Sequence, residues 1–216
     1  MPVELHDPAR WGYLTGWRVG EIRSLRWGDV DVEGRALRLS WRKSKNKQAR
    51  TMVLYGDLAA IIDRASAART KRTVQGLPDP GTVFCRADGQ ALGHFHKAWT
   101  TACIEAGAYS VVSDAEAAAH PRGLSVVVDP VSGARQKVRA RLFHDLRRTA
   151  ARNLRRAGNS ESDCMAVTGH KTAAIFRRYS IVDEEDLRAT IIRTQAYVDT
   201  LPTTAPTAPQ AEGRSR

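Results

Sequence analysis

The stretch from Arg141 to Asp186 constrains this chain most, because it concentrates specialised polar side chains within a run of predicted helices. It reads RLFHDLRRTAARNLRRAGNSESDCMAVTGHKTAAIFRRYSIVDEED, and His144 and Arg147 stand three positions apart in it. Helical residues at that spacing lie on one face. Arginine presents a planar fork that matches phosphate oxygens, and histidine can donate a hydrogen bond or transfer a proton near neutral pH. The pair therefore predicts a site for a small anion, with phosphate as the natural candidate.

Two more polar residues follow in the same stretch. His170 comes directly after Gly169, and Tyr179 stands nine residues beyond that histidine. A tyrosine on the next helical element is a candidate nucleophile. Taken singly, each residue also has an ordinary explanation, since His170 can close a helix turn and Tyr179 can belong to an apolar stripe.

Capping signals predict four helices in and after this stretch. Gly158-Asn159 is a helix-ending pair, Ser160 is a capping residue, and Gly169 breaks the helix that Ser160 begins. The predicted helices run from His144 to Ala157, from Ser160 to about Thr168, from Lys171 to Ser180 and from Leu187 to Leu201. The residues after Leu201 are rich in Pro, Thr and Ala, which predicts a disordered tail over 202–216.

The N-terminal third shows a turn, a helix and a hairpin. A turn at Thr15-Gly16 precedes a helix with apolar residues at helical spacing, and Arg18 begins that helix as a candidate anion ligand or an ordinary solvated arginine. The β-rich runs Arg35 to Trp41 and Arg50 to Leu54 predict a hairpin. Lys43, Lys45 and Lys47 stand between them, where they suit either a phosphate contact or a solvated loop.

The middle of the chain predicts smaller elements. No element is predicted for residues 1–10. Helices are predicted from Gly56 to Ala68 and from Gly93 to Ala106, and a short strand from Thr82 to Cys85. An irregular segment and a β-rich hairpin are predicted over 107–140, and alternation there puts Arg135, Lys137, Arg139 and Arg141 on one strand face. That face either lies on DNA or is the wet side of the hairpin.

Composition narrows the class of partner. The formal charge of +11 and the isoelectric point near 10.1 favour a polyanion such as nucleic acid, or a merely basic soluble protein. No apolar run suits a signal peptide or a membrane span, so a cytoplasmic location is expected. The three cysteines contain no CxxC pair, which argues against a disulfide framework or a zinc ribbon. A metal site of Cys85, His94, His96 and Cys103 matches no familiar zinc spacing.

Five segments of the sequence, taken together in their order, form a highly specific set of motifs. TGWRVGEIRSLRW, SKNKQART, FHDLRRTAARNLRRAG, TGH and RRYSIVDEED occur in the order found in the tyrosine recombinases, the phage-integrase family of site-specific DNA recombinases. The chain resembles that family's catalytic domain from about Tyr13 to Leu187. The resemblance implies an α+β, mainly helical fold in which a small antiparallel sheet or hairpin packs on a helical bundle, forming one catalytic domain over 1–201.

The resemblance also implies the site residues. It assigns catalytic roles to Arg18, Lys45, His144, Arg147, His170 and Tyr179, and a supporting role to Glu21. Lys45 is preferred to its neighbouring lysines because it stands five residues before the RT step at Arg50. Candidate DNA contacts are Lys43, Lys47, Arg135, Lys137, Arg139 and Arg148.

The reaction implied is DNA cleavage and rejoining. Tyr179 attacks the scissile phosphate to form a 3′-phosphotyrosyl link, Lys45 protonates the departing 5′ oxygen, and the free 5′ hydroxyl later attacks back. No metal or nucleotide cofactor is expected, and the expected partners are double-stranded DNA and further copies of this chain, as a tetramer on DNA.

Two departures from the family pattern leave alternatives open. Only seventeen residues precede Arg18, whereas family members carry an N-terminal helical domain, so DNA affinity and site choice are expected to suffer. The insertion over 107–140 either adds a DNA-contacting hairpin or marks a decaying gene. One competing function is a cleavage-dead DNA-binding remnant or regulator from a mobile element. Another is a metal-dependent nuclease, but the sequence shows no carboxylate cluster to support it.

Overall fold

The fold combines helices with two small antiparallel sheets. A computed structural model of the chain describes residues 1–39, 50–178 and 184–201. The α-helices are α1 (His6–Thr15), α2 (Val19–Ser24), α3 (Asp57–Val74), α4 (His96–Glu105), α5 (Asp114–Ala119), α6 (Asp145–Arg156), α7 (Glu161–Thr168), α8 (Ala173–Arg177) and α9 (Glu184–Val198). The strands are β1 (Val30–Asp31), β2 (Ala36–Leu39), β3 (Arg50–Val53), β4 (Tyr109–Val111), β5 (Ser125–Val128) and β6 (Arg135–Ala140). The predicted α+β, mainly helical class is confirmed, since about half of the structure is helical.

The chain divides into two compact units, Met1–Ser180 and Ile181–Arg216. The described part of the second unit is α9 and the few residues after it. Glu184, Glu185 and Asp186 occupy its first turn, where acidic side chains favour a helix N-terminus. The predicted tail over 202–216 lies outside the described residues. Within the parts of the chain that the structure covers, no helix combines the length and apolar character needed to cross a membrane.

The main core of the first unit is built around tryptophans. The Trp11 ring meets the Trp17 and Phe84 rings edge to face, with centroids 5.7 Å and 5.9 Å away. Trp11 belongs to α1, which the sequence prediction missed. The buried residues of that helix are Pro8, Trp11, Gly12 and Thr15, so its inner face lacks the repeated large apolar residues that reveal a helix. At Gly12 an added Cβ would lie 3.0 Å from Phe143, so the glycine permits the close approach of α1 to the segment leading into α6.

The first sheet has the order β1-β2-β3 and confirms the predicted hairpin. β2 and β3 pair antiparallel, with Leu37 opposite Met52 and Leu39 opposite Arg50. Leu37, Leu39 and Met52 are buried in the main core. The inward face of this sheet thereby places the start of β3 against the rest of the first unit.

The second sheet has the order β4-β6-β5 and lies in the 107–140 insertion. The predicted β5-β6 hairpin is confirmed, with Val126 opposite Lys137 and Val128 opposite Arg135. The irregular part of the prediction was incomplete, because β4 and α5 also form there. β4 has three residues, too few to show an alternation, and it is held as a strand by pairing with β6.

The predicted strand from Thr82 to Cys85 was wrong. Thr82 forms an isolated bridge with Arg26, and Cys85 forms another with Ala91. Val83 and Phe84 are nevertheless buried in the core. The apolar residues of this run therefore indicated correctly that the segment is buried. They did not indicate a strand, because a strand also needs a partner strand along its length.

Candidate active site

Among the predicted site residues that the structure describes, Arg147 is the most enclosed. It is the third residue of α6, and its side chain is only 2% exposed. Its Nη1 donates hydrogen bonds to the carbonyl oxygens of Gly16 and Thr168, both at 2.5 Å, and its Nε donates to Nε2 of His170 at 3.1 Å. One guanidinium therefore joins the end of α1, the start of α6 and the end of α7.

Gly16 makes the approach of α1 to α6 possible. It ends α1 in the left-handed region with a φ of 65°, which glycine adopts without steric cost. A Cβ added there would lie 3.1 Å from the Cβ of Ala150 on α6. The absence of a side chain thus lets the Gly16 carbonyl reach Arg147.

His170 lies beside Arg147 and has a defined tautomer. Its Nδ1 is 2.6 Å from the hydroxyl of Thr168, and that hydroxyl donates its own proton to the Cys164 carbonyl at 2.7 Å. The Thr168 oxygen therefore accepts from an Nδ1–H group. Nε2 then carries no proton and accepts the hydrogen bond from Arg147. The Phe176 ring packs against the imidazole edge to face at 5.3 Å.

The environment of His170 keeps the ring neutral. Burial lowers its pKa to about 3, and the positive charges of Arg147 and Arg18 act in the same direction. The pKa of His144 is also lowered, first by partial burial and then by the charge of Arg147. Both imidazole rings are therefore uncharged near neutral pH.

The shifted pKa of His170 predicts a loss of stability in mild acid. The imidazole titrates near 6.5 when unfolded and near 3 in the fold, so between these values the unfolded state binds the extra proton. The free energy of unfolding is therefore unaffected by this titration well above pH 6.5, and it decreases as the pH falls from 6.5 towards 3. We expect the free energy of unfolding to be about 2 kcal/mol lower at pH 5 than at pH 7.5 from this residue alone. Urea unfolding of the parent and of His170→Gln at both values measures this, and equal pH dependence in the two proteins would contradict it.

Arg18 and Glu21 form the second part of the site. Arg18 precedes α2, and its backbone N–H donates to Oε2 of Glu21 at 3.1 Å while its Nη1 donates to Oε1 at 3.3 Å. The Arg18 side chain is 30% exposed, whereas that of Glu21 is 6% exposed. The carboxylate therefore holds the arginine by its backbone and by its side chain, and leaves part of the guanidinium open to solvent.

The His144 and Arg147 pair straddles the start of α6. His144 precedes the first helical residue, and its carbonyl accepts the backbone N–H of Arg147 at 3.0 Å. The imidazole is exposed and the guanidinium is buried. The two side chains of this motif therefore have different environments, which their spacing alone did not reveal.

The remaining predicted residues are distributed as follows. Lys43, Lys45, Lys47 and Tyr179 lie outside the described residues. Arg135 and Lys137 are exposed on β6, where Lys137 forms an ion pair with Asp114 at 2.9 Å, and Arg139 donates to the His120 carbonyl at 2.8 Å. Arg148 is exposed on α6 and Arg141 follows the end of β6. Across 1–39, 50–178 and 184–201, no group of three or more His, Cys, Asp or Glu side chains is placed to hold a metal ion.

Sequence reasoning missed one residue of this site, Arg50. Its side chain is 8% exposed, and its Nη2 lies 3.1 Å from Oε1 of Glu21. In β3 the buried Met52 shares a face with Arg50, because alternate residues of a strand point to the same side. The alternation in RTMVL could therefore have indicated an inward-facing arginine.

A comparison with known protein families assigns the chain to one of them. The family model described as the phage integrase family matches residues 7–124, which is more than half of the 216 residues. The chain belongs to the phage integrase family. The matched residues of this integrase-family chain include Arg18, Glu21 and Arg50, whereas His144, Arg147 and His170 follow the matched range. No curated protein sequence matches the chain.

Solved structures with the same fold extend over most of this phage integrase family member. The Tn1549 transposon integrase, in complex with transposon right-end DNA, is 15% identical with a TM-score of 0.58, and the match covers 89% of this chain and 59% of that one. XerA recombinase is 15% identical with a TM-score of 0.56, covering 90% and 64%. A lambda integrase dimer bound to a core site is 16% identical with a TM-score of 0.55, covering 83% and 43%. This chain therefore spans less than two thirds of the length of each of these three structures.

Proposed function

We propose that this chain is the catalytic domain of a tyrosine recombinase, which cleaves and rejoins DNA strands through a 3′-phosphotyrosyl intermediate. The observation that carries the proposal is the fixation of Arg147 by Gly16, Thr168 and His170. These hydrogen bonds join the end of α1, the start of α6 and the segment of Thr168 and His170, which are distant in sequence. Arg18 follows Gly16 by two residues. Guanidinium groups held in place before the reaction stabilise charge on a phosphate without reorganising.

The proposed chemistry balances without an external energy source. The Tyr179 oxygen attacks phosphorus, the bond from phosphorus to the 5′ oxygen breaks, and Lys45 gives that oxygen a proton. A tyrosine hydroxyl has a pKa of about 10 and needs a neighbouring base to act near neutral pH. His144 suits that role because it is exposed and its pKa is lowered, so the neutral ring can accept a proton. Arg18 and Arg147 stabilise the negative charge that develops on the other phosphate oxygens.

The position of Tyr179 in the chain supports its assignment. Phe176 contacts the His170 ring, and Tyr179 follows Phe176 by three residues. Three residues of backbone span at most about 11 Å. The nucleophile is therefore tethered to a residue that packs on the site.

The proposed partners are duplex DNA and further copies of this chain. The +11 charge suits a polyanion. Of the three structures described above, two are bound to DNA, and one of these two is described as a dimer. We propose that copies of this chain assemble on DNA, as a tetramer during strand exchange, and that they work in the cytoplasm.

Covalent trapping tests this function. The chain is incubated in EDTA with a library of nicked duplexes, in which the short cleaved strand diffuses away, and the products are separated on denaturing gels. We expect a protein–DNA adduct that survives denaturation, and peptide mass spectrometry should place the nucleotide on Tyr179. Salt-sensitive DNA binding with no adduct would contradict the proposal and favour a cleavage-dead DNA-binding protein.

The basic face of β6 is expected to contribute to DNA binding. β6 ends at Ala140, four residues before His144, so a short connection joins this strand to the proposed phosphate site. Changing Arg135, Lys137 and Arg139 together to Gln should make the slope of log K against log salt less steep by about 2 to 3, because each lost phosphate contact removes about 0.9. Fluorescence anisotropy with labelled duplex at several salt concentrations measures the slope.

A control variant separates this effect from net charge. Arg64, Arg69 and Arg86 form ion pairs with Asp7, Asp79 and Asp88. Arg64 and Arg86 are exposed, and Arg69 is half-buried. Changing these three to Gln removes the same formal charge. Equal slopes for the β6 variant, the control and the parent would show that the β6 face is simply solvated.

A further inference from the structure

Arg50 is a buried arginine at the junction of the segments that form the site. Its guanidinium lies over the Trp17 ring at 4.8 Å from the centroid. On another side it is in contact with Gly169, where an added Cβ would overlap the guanidinium. Its Nη2 forms an ion pair with Oε1 of Glu21 at 3.1 Å. The residue therefore contacts the segment before α2, α2 itself and the residue before His170.

Burying this charge is costly, so its retention points to a role. Removing a guanidinium from water is favourable only when an opposite charge and further contacts compensate. In the part of the chain that the structure describes, no acceptor meets hydrogen-bond geometry with the Arg50 guanidinium, although Glu21 lies within ion-pair distance. Charge pairing, ring stacking and close packing therefore hold this group, which makes its position sensitive to all three neighbours.

Glu21 is shared between two arginines. Its Oε1 lies 3.3 Å from Nη1 of Arg18 and 3.1 Å from Nη2 of Arg50. Without Arg50, the buried carboxylate would pair with Arg18 alone and would neutralise more of the charge that Arg18 presents to solvent. With Arg50 in place, the cluster of two arginines and one glutamate keeps a net positive charge.

We propose that Arg50 is a positioning residue for the phosphate site. It anchors Glu21, which orients Arg18 and leaves that guanidinium electropositive, and it packs on Gly169, which sets the position of His170. The inference rests on the proposed function of the same site. Arg50 begins β3, the strand that follows the segment containing Lys45. Through Arg50, this strand contacts both Glu21 and Gly169.

Kinetics of the Arg50 variants test the proposal. Arg50→Met keeps an unbranched apolar stem and removes the charge, Arg50→Lys keeps the charge, and Arg38→Met is the matched control. Arg38 lies on the neighbouring strand β2, is 66% exposed and forms an ion pair with Asp31 at 3.1 Å. In single-turnover trapping on a nicked duplex, we expect Arg50→Met to lower the rate about 100-fold with the Kd for DNA changed less than about 3-fold. Arg50→Lys should recover about 10-fold of that loss, and Arg38→Met should react at the parental rate.

A double-mutant cycle separates positioning from a general structural effect. If Arg50 acts through Glu21, then Glu21→Gln combined with Arg50→Met should be no slower than the slower single variant. Multiplying rate losses would overturn the proposal, as would equal losses in rate and in DNA affinity. Thermal unfolding identifies variants that fail to fold. If Arg50→Met does not fold, the cleavage rate of Arg50→Lys is compared with that of the parent instead.

A binding measurement distinguishes failure of this inference from failure of the proposed function. Inorganic phosphate is titrated into the parent, Arg50→Met and Arg38→Met and followed by ³¹P NMR. We expect about 10-fold weaker binding by Arg50→Met alone, because the cluster of Arg18, Glu21 and Arg50 then loses its net positive charge. A parent that cleaves DNA beside an equally active Arg50→Met overturns the inference and leaves the function standing. If no protein forms an adduct, the function fails and the phosphate titration decides the role of Arg50, with no binding by the parent overturning both.

Discussion

Replacing Tyr179 by phenylalanine is expected to abolish covalent attachment to DNA completely. The proposed intermediate contains a bond between the tyrosine oxygen and phosphorus, and phenylalanine has no atom that can form it. The change removes one oxygen and keeps the ring, so the size of the side chain hardly changes. Trapping on nicked duplex in EDTA should therefore show no adduct, while the Kd for the same DNA stays within about 3-fold of the parental value.

The matched control for this prediction is Tyr55→Phe. Tyr55 is 87% exposed between β3 and α3, and no catalytic role is proposed for it. Its variant should form adduct at the parental rate. An adduct formed by Tyr179→Phe would assign the nucleophile to another residue, and loss of DNA binding by that variant would show that the ring contributes to more than the chemistry.

Replacing Arg147 by methionine is expected to affect both stability and cleavage. The substitution leaves the carbonyls of Gly16 and Thr168 and Nε2 of His170 without this donor. A buried polar group left unsatisfied costs about 1 to 3 kcal/mol, so we expect the free energy of unfolding to fall by about 3 kcal/mol or more. Loss of a donor to the phosphate should lower the cleavage rate by about 10³-fold.

Urea unfolding and single-turnover trapping measure the two effects separately. Arg147→Lys should remain defective, because a lysine amine cannot replace a planar fork that donates in several directions. Arg152→Met is the control, since Arg152 is exposed on the same helix. An Arg147→Met protein with parental stability would contradict the bridging role that the hydrogen bonds assign to this side chain.

Local signals explain which parts of the fold were predictable. Ser160 caps α7 by accepting the backbone N–H of Asp163 at 3.1 Å, and Gly169 ends that helix with a φ of 68°. These contacts join residues close in sequence, so the residue types alone indicate them. The β2-β3 hairpin was predictable for the same reason. The helix α1 was not, because Trp11 is the one large apolar residue on its buried face, which Pro8, Gly12 and Thr15 complete.

The sequence by itself determined the type and order of the proposed site residues, since motif spacing and capping depend on neighbours along the chain. Only the tertiary structure decided their environments. Arg147 donates to a carbonyl 131 residues away, and Arg50 reaches Glu21 and Gly169 from a strand between them. Burial and charge compensation arise from residues that folding brings together, and spacing along the chain carries no record of them. For this reason Arg50, at the start of β3, to which the motifs assign no role, is part of the candidate site.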